Sequence, residues 1–176
     1  MKRFISGILT GIIALVTVMS ATALSVVKLG LVSVQANQSP PAWEVHLLGL
    51  AVKASVARHT PEQPNPVPPT EENLAAGASI YVQMCARCHG QPNAGPSVYG
   101  GSFYPPAPQL PGPATQYTEA ELFWIVKHGI RNTSMPAWGR LLSDQDIWQV
   151  VALVKRFDSL PPSVEAELRK GARGRD

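Results

Sequence analysis

Residues 85–89 read Cys85-Ala86-Arg87-Cys88-His89, which is the C-x-x-C-H pattern of covalent haem attachment. On a helical turn, two thiols at this spacing can each add to one vinyl group of a haem. The histidine that follows is then placed beneath the iron, where its imidazole becomes the proximal ligand. The chain has only two cysteines, so the motif uses every thiol it has. We therefore predict a haem-binding domain built around these five residues.

Other uses of a C-x-x-C pair fit the sequence less well. A zinc site needs two more ligands at metal spacing, and the chain has neither a second C-x-x-C nor an H-x-x-x-H. A thioredoxin-like redox pair needs a βαβ context, which the sequence does not show. A simple disulfide leaves His89 without a role. Haem attachment is therefore the preferred interpretation.

A second chemical motif is Met135-Pro136, about 45 residues after the first motif. The thioether of Met135 is the candidate for the sixth iron ligand. Pro136 biases the preceding residue towards an extended conformation, so we expect a loop to present the sulfur. The alternatives are Met135 as a core residue and His128 as the sixth ligand. The remaining methionines lie in the N-terminal leader or beside Cys85, at Met1, Met19 and Met84.

The N-terminus carries a long apolar run. Lys2 and Arg3 precede Phe4 to Val27, which has no charge and as a helix would span roughly 36 Å, against about 30 Å for a hydrocarbon core. We assign residues 1–36 to an uncleaved anchor or a signal sequence, and prefer the anchor. A buried helix of a soluble domain is a weaker alternative. With either an anchor or a signal, Lys2 and Arg3 stay on the cytoplasmic side by the positive-inside rule, and the chain after residue 36 is exported.

Two segments follow the apolar run. We assign residues 37–59 to a juxtamembrane helix that contacts headgroups, packs on the haem domain or docks a partner. Residues 60–69 contain five prolines and form an extended spacer. The spacer is either a stalk that lifts the haem domain from the membrane or a strap that lies against it. Trp43, Leu47, Leu50 and Ala54 fall on one face of the juxtamembrane helix, but the segregation is weak because Val45, Leu48 and Val52 lie elsewhere on it.

The haem domain occupies residues 70–160 in this assignment. Thr70 caps a helix that we expect to run to about Met84 and deliver Cys85. Gly77 lies inside that helix, where glycine is costly, so we expect close contact with another helix. The last helix begins at Ser143, and we expect it to cross the first helix at Gly77. A capping box at Thr118 begins a third helix.

A long irregular stretch, residues 90–117, follows the haem motif. It is rich in proline and glycine, and a segment of this length needs something to pack on. The porphyrin supplies that surface. We expect one carbonyl of this stretch to accept the free ring N–H of His89, which fixes its tautomer and raises its donor strength.

These residues together resemble the class I c-type cytochromes, in particular the small monohaem proteins of bacteria. The resemblance implies an all-α haem domain with crossed terminal helices, covalently bound haem c, and iron held by His89 and Met135. It also implies that Arg131 and Trp138 lie near the haem propionates. The matching elements are Gly77-x-x-x-Tyr81, Cys85-x-x-Cys88-His89-Gly90, Tyr104-Pro105-Pro106-Ala107-Pro108, Gly129-Ile130-Arg131, Met135-Pro136-Ala137-Trp138, Trp148 and Val151.

Charge argues against one class of partner. The net charge is +3 and the pI about 9.0, yet the basic residues crowd into the tail, residues 161–176, which we expect to be solvated and disordered. No basic stripe with interleaved aromatic residues is present, so we expect no nucleic-acid partner.

We predict a monohaem electron carrier rather than an enzyme. An all-α class I cytochrome c domain would follow an N-terminal membrane helix, and would face the periplasm from the bacterial cytoplasmic membrane. Its partners would be redox proteins that donate and accept electrons. Two alternatives remain: a haem subunit of a larger membrane dehydrogenase or terminal oxidase, and a haem enzyme or gas sensor with an open iron site.

Overall fold

The computed structural model describes residues 2–92 and 96–173. Within these ranges every regular element is a helix or a helical turn, so the predicted all-α fold is confirmed. The chain divides into two compact units, Met1–Gln35 and Ala36–Asp176. Each unit is described separately below.

The first unit contains one helix, α1 (Lys2–Lys28), which is long and apolar enough to cross a membrane. None of its side chains is buried within the protein. The hydroxyl groups of Thr10 and Thr17 donate hydrogen bonds to the carbonyls of Ser6 and Ile13, four residues earlier. The helix thus satisfies these polar groups internally, as an apolar surrounding requires.

The second unit contains seven α-helices among its described residues. They are α2 (Ala42–His59), α3 (Glu71–Ile80), α4 (Ala86–His89), α5 (Val98–Gly101), α6 (Glu119–His128), α7 (Asp144–Val154) and α8 (Pro162–Arg173). Helices α6 and α7 start at the predicted caps, where Thr118 pairs with Glu121 and Ser143 pairs with Asp146 in capping boxes. Shorter helical turns cover Tyr81–Cys85, Gly112–Gln116 and Trp138–Arg140.

The core of the unit is the crossing of α3 and α7. A Cβ atom added to Gly77 would overlap the backbone carbonyl of Gln149, so only glycine lets the two helices approach this closely. One turn later, the ring of Tyr81 is fully buried and meets Phe157 edge-on at 5.1 Å. The predicted contact at Gly77 is therefore confirmed.

The C-terminal segment differs from the expected solvated tail. Residues 162–173 form α8, which packs against α3 and buries Val164 and Leu168. These two side chains are four residues apart, so they lie on one face of the helix. The basic side chains of Arg169 and Lys170 pair with acidic residues of the same helix. The expectation of an unstructured tail is wrong for these residues, and residues 174–176 lie outside the described range.

The proline-rich segment lies along the haem domain. The side-chain amide of Asn65 donates to the carbonyl of Trp148 at 3.3 Å, and Val67 packs against the core. Before this segment, α2 packs on α6, where the ring of His59 stacks on Trp124 with 6.1 Å between centroids. The structure therefore shows the strap arrangement and not a free stalk.

Candidate haem-binding site

An apolar cavity of about 290 Å³ lies among the helical turn Tyr81–Cys85, α4, α6, α7 and the loops between them. The cysteines and histidine of the C-x-x-C-H motif border it from one side, and Met135 and Trp138 border it from the methionine loop, residues 129–138. Its apolar wall includes Phe103, Leu110, Leu122, Ile125, Val126, Val150, Val151 and Val154. The structure thus brings five of the six predicted site residues to one cavity.

Arg131 is the sixth predicted site residue, and it does not border the cavity. Its side chain is exposed, and the structure gives it no contact with the cavity. His128, the alternative sixth ligand, also lies outside the lining, and its ring is tilted against that of Trp124 with 5.0 Å between centroids. Met84 does line the cavity, next to Cys85.

The helix that delivers the cysteines is wider than expected. The α-helical geometry of α3 ends at Ile80, and a π-helical turn spans Tyr81–Cys85, where the N–H of Ala86 donates to the carbonyl of Tyr81. A π-helical turn rotates the following residues relative to a continuous α-helix, and such turns occur frequently at functional sites. Propensity alone gives no signal for this turn, which is why the sequence predicted an unbroken helix.

The Cys85 thiol is strongly desolvated. Burial raises the pKa of Cys85 to about 12, and the charge of Cys88 adds to the shift. At neutral pH Cys85 is therefore a neutral thiol facing an apolar cavity. That environment suits a residue whose sulfur is to form a thioether rather than remain a charged ligand.

The imidazole of His89 is held by the loop across from it. Its Nδ1 atom lies 2.8 Å from the carbonyl oxygen of Pro108. A carbonyl can only accept, so Nδ1 carries the proton and Nε2 keeps a free lone pair. The predicted loop carbonyl is therefore that of Pro108, and His89 has the tautomer that a metal ligand needs.

A small helix fixes the haem motif from outside, and the sequence did not predict it. The hydroxyl of Ser97 donates to the carbonyl of Arg87 at 2.6 Å and accepts the N–H of Gly100. A Cβ at Gly100 would overlap the backbone of Cys88. The guanidinium of Arg87 lies over the ring of Tyr99, 4.2 Å from its centroid. The only sequence signal for this contact is the Ser97-x-x-Gly100 spacing at a helix start.

The methionine loop is closed by its own hydrogen bonds. The N–H of Ile130 donates to the carbonyl of Met135, and the hydroxyl of Thr133 donates to the carbonyl of Ile130 at 2.7 Å. The same hydroxyl accepts the N–H of Met135 at 3.1 Å. Asn132 turns the chain with φ of 59°. Met135 can be identified from the sequence but Thr133 cannot, because a threonine in a loop does not by itself indicate a functional role.

The donor set fits a haem. Two thiols, an imidazole with a free Nε2 and a thioether border one apolar cavity, and soft sulfur and imidazole ligands are those that hold haem iron. Among residues 2–92 and 96–173, no three His, Cys, Asp or Glu side chains group into a metal site of their own. The described residues therefore offer no zinc site.

Comparison with known proteins agrees with this assignment. The family model described as cytochrome C oxidase, cbb3-type, subunit III matches residues 72–154, which include both haem motifs. The thiosulfate dehydrogenase of Stutzerimonas stutzeri (strain A1501) is 29% identical over 135 residues, which cover 69% of this chain and 43% of that protein. The chain thus matches less than half the length of this relative. No solved structure matches the chain significantly.

The matched region coincides with the predicted haem domain and with the walls of the cavity. The match over residues 72–154 supports a c-type cytochrome domain in this region, and that family implies covalently bound haem c and a role in electron transfer.

Proposed function

We propose that the chain is a monohaem electron carrier whose iron is held by His89 and Met135. The observation that carries the proposal is that two candidate axial ligands, each held in place by hydrogen bonds, border the same cavity. His89 is oriented by the Pro108 carbonyl, and Met135 is held in a loop closed by Thr133. Both residues border the cavity that the two thiols also reach.

This arrangement favours electron transfer over ligand chemistry. Haem c, when bound, supplies one-electron exchange at its iron. Side chains of this chain would occupy both axial positions, which leaves none for a substrate. Histidine–methionine ligation also raises the reduction potential. The hydrogen bond from His89 to Pro108 strengthens the imidazole as a donor.

The cavity walls have a separate role. The apolar side chains of α6 and α7 keep water away and lower the local dielectric, which also tunes the potential. Thioether bonds from Cys85 and Cys88 would retain the haem permanently. These features suit a carrier that cycles between two oxidation states without losing its cofactor.

We propose that α1 anchors the chain, with Lys2 and Arg3 on the cytoplasmic side and the haem domain in the periplasm. The support is the length and apolar character of α1 and the excess of basic residues at its start, where Lys2 and Arg3 stand against Lys28 at its end. An anchored carrier would exchange electrons with redox proteins in or near the same membrane.

A substitution at Met135 tests the ligand assignment. Met135→Ala should abolish the sulfur-to-iron charge-transfer band of the ferric protein, because the thioether is gone. Met84→Leu is the matched control, since Met84 also borders the cavity, and it should leave the band intact. A band that persists in Met135→Ala would overturn the assignment.

A second candidate function follows from the comparisons. The matched family is described as an oxidase subunit, and the relative is named a dehydrogenase. The chain would then be the haem-bearing subunit of a larger redox complex in the membrane. Purification in mild detergent separates the two functions. A stoichiometric partner supports the subunit, and a haem protein that elutes alone supports the free carrier.

A further inference from the structure

Helix α2 has an apolar face that no described part of the protein covers. Trp43, Leu47 and Leu50 are 67%, 58% and 54% exposed. Together with the exposed Ala54 they follow the spacing i, i+4, i+7, i+11, which places them on one side of the helix. We call these four residues the outer face of α2.

The opposite side of α2 is attached to the haem domain. Val56 is fully buried, although Val45 and Leu48 on the same side of the helix are exposed. At the start of the helix, the carboxylate of Glu44 accepts a hydrogen bond from the hydroxyl of Tyr104 at 3.0 Å. Contacts at both ends of the helix fix its rotation, so the outer face points away from the domain.

The charged residues of α2 also differ between the domain side and the outer face. Its one acidic residue, Glu44, is bonded to Tyr104 on the domain side. His46 and Lys53 border the outer face on one edge, and Arg58 borders it on the other. Exposed apolar side chains that include a tryptophan, flanked by the basic residues Lys53 and Arg58, suit a helix that lies in an anionic lipid surface.

The length of the connecting chain limits where α2 can be. Residues 29–41, 13 in number, separate the end of α1 from the start of α2. Fully extended, they reach at most about 45 Å. If α1 spans the membrane, α2 is held within this distance of the lipid surface. The high local concentration favours even a weak contact.

We propose that the outer face of α2 lies in the headgroup region of the membrane that α1 anchors, a proposal that rests on the proposed tether. Tyr104, bonded to Glu44, precedes Pro105 in the wall of the haem cavity. Docking of α2 therefore fixes the direction in which the cavity faces the membrane. It restricts electron exchange to partners that approach from the side left open.

Spin labels on the full-length holoprotein in lipid nanodiscs test the proposal. Haem attachment consumes the native thiols, so a single introduced cysteine carries the label. The reporter is Leu50→Cys, on the outer face. The matched control is Leu141→Cys, an exposed apolar residue outside α2. A third variant, Leu15→Cys in α1, reports separately on the membrane anchor.

The proposal predicts that the label at position 50 loses access to a water-soluble nickel chelate and gains access to oxygen. The control label should stay accessible to the chelate. Replacing anionic by zwitterionic lipid should restore part of the chelate access at position 50, because the basic border then loses its partner charge.

A solvent-exposed label at position 50 beside a lipid-buried label at position 15 would overturn the docking while leaving the anchor intact. An exposed label at position 15 would instead overturn the anchor and, with it, the docking. Spin–spin broadening at position 50 would show that a second copy covers the face. Immobilisation only in native membranes would show that another protein does. Either of these two results would replace lipid as the occupant.

Discussion

The hydroxyl of Thr133 accepts the backbone N–H of Met135 at 3.1 Å while donating to the carbonyl of Ile130. One side chain thus closes the loop that presents the proposed axial sulfur. This short stretch of chain carries the sulfur at the edge of the cavity. The strength of the iron–sulfur bond should therefore depend on a residue that does not touch the iron.

Thr133→Val keeps the shape of the side chain and removes both hydrogen bonds. Each bond contributes about 0.5–1.5 kcal/mol, so the loop should open more readily. We expect the charge-transfer band to disappear at a lower pH than in the wild-type protein. An alkaline spectrophotometric titration measures this, and Thr133→Ser, which retains the hydroxyl, should restore the wild-type midpoint. Equal midpoints for all three proteins would contradict the positioning role.

Substitution of Gly100 should impair haem attachment. A Cβ at this position would overlap the backbone carbonyl of Cys88, so Gly100→Ala must shift α5 or the haem motif. We expect a reduced yield of covalently attached haem, measured by haem-stained gel against total protein. The adjacent Gly101 has open space around it, and Gly101→Ala should attach haem normally. Equal yields from both variants would show that this close approach is unimportant.

The crossing of α3 and α7 predicts a loss of stability. Gly77→Ala places a methyl group against the backbone of Gln149, and overpacking of this kind typically costs about 1–3 kcal/mol. The better helix propensity of alanine offsets up to about 1 kcal/mol of that. Gly49→Ala, in the exposed part of α2 with nothing near its Cβ, should be neutral or stabilising. Denaturant unfolding of the holoprotein compares the two variants, and a neutral Gly77→Ala would contradict the contact.

Tyr81 predicts a stability effect with a defined pH dependence. Its buried hydroxyl donates to the carbonyl of Gly90 at 2.7 Å, so Tyr81→Phe leaves that carbonyl unsatisfied, at a cost of about 1–3 kcal/mol. Burial raises the pKa of Tyr81 well above its usual value near 10. The folded state therefore disfavours the ionised phenol.

The sign of the pH effect follows from that direction. Below pH about 10 the phenol is neutral in both folded and unfolded states, so its contribution is constant. Above this pH the unfolded state loses the proton first, and the wild-type protein loses stability. The difference in free energy of unfolding between the wild-type protein and Tyr81→Phe should therefore be constant at neutral pH and shrink at alkaline pH. Unfolding curves at several pH values measure it, and a difference that grows above pH 10 would contradict the burial.

Local chemistry explains which parts of the fold the sequence could predict. The capping boxes at Thr118 and Ser143 depend on residues three positions apart, and the glycine at position 77 has a cost that only a close contact justifies. The C-x-x-C-H motif and Met135 carry their chemistry in their residue types. None of these required knowledge of the rest of the fold.

The missed features depend on tertiary contacts. Helix α8 places two strong apolar side chains, Val164 and Leu168, on one face among many charges, so its composition resembles that of a solvated tail although its pattern is amphipathic. In the sequence, Pro161 and Pro162 indicate the end of the preceding helix, although proline also suits the first turn of the next one. The carbonyl of Pro108 could not be singled out from the sequence. All carbonyls of that loop are chemically equivalent until the chain is folded.

The central claim is that Met135 is an axial ligand of the haem iron. Proton NMR of the reduced full-length protein, with methionine methyl groups isotopically labelled, tests it most directly. We expect one of the methionine methyl resonances to be shifted far upfield by the porphyrin ring current, to vanish in Met135→Ala and to remain in Met84→Leu. A spectrum without an upfield methionine methyl, or one whose shifted methyl vanishes in Met84→Leu, would contradict the account.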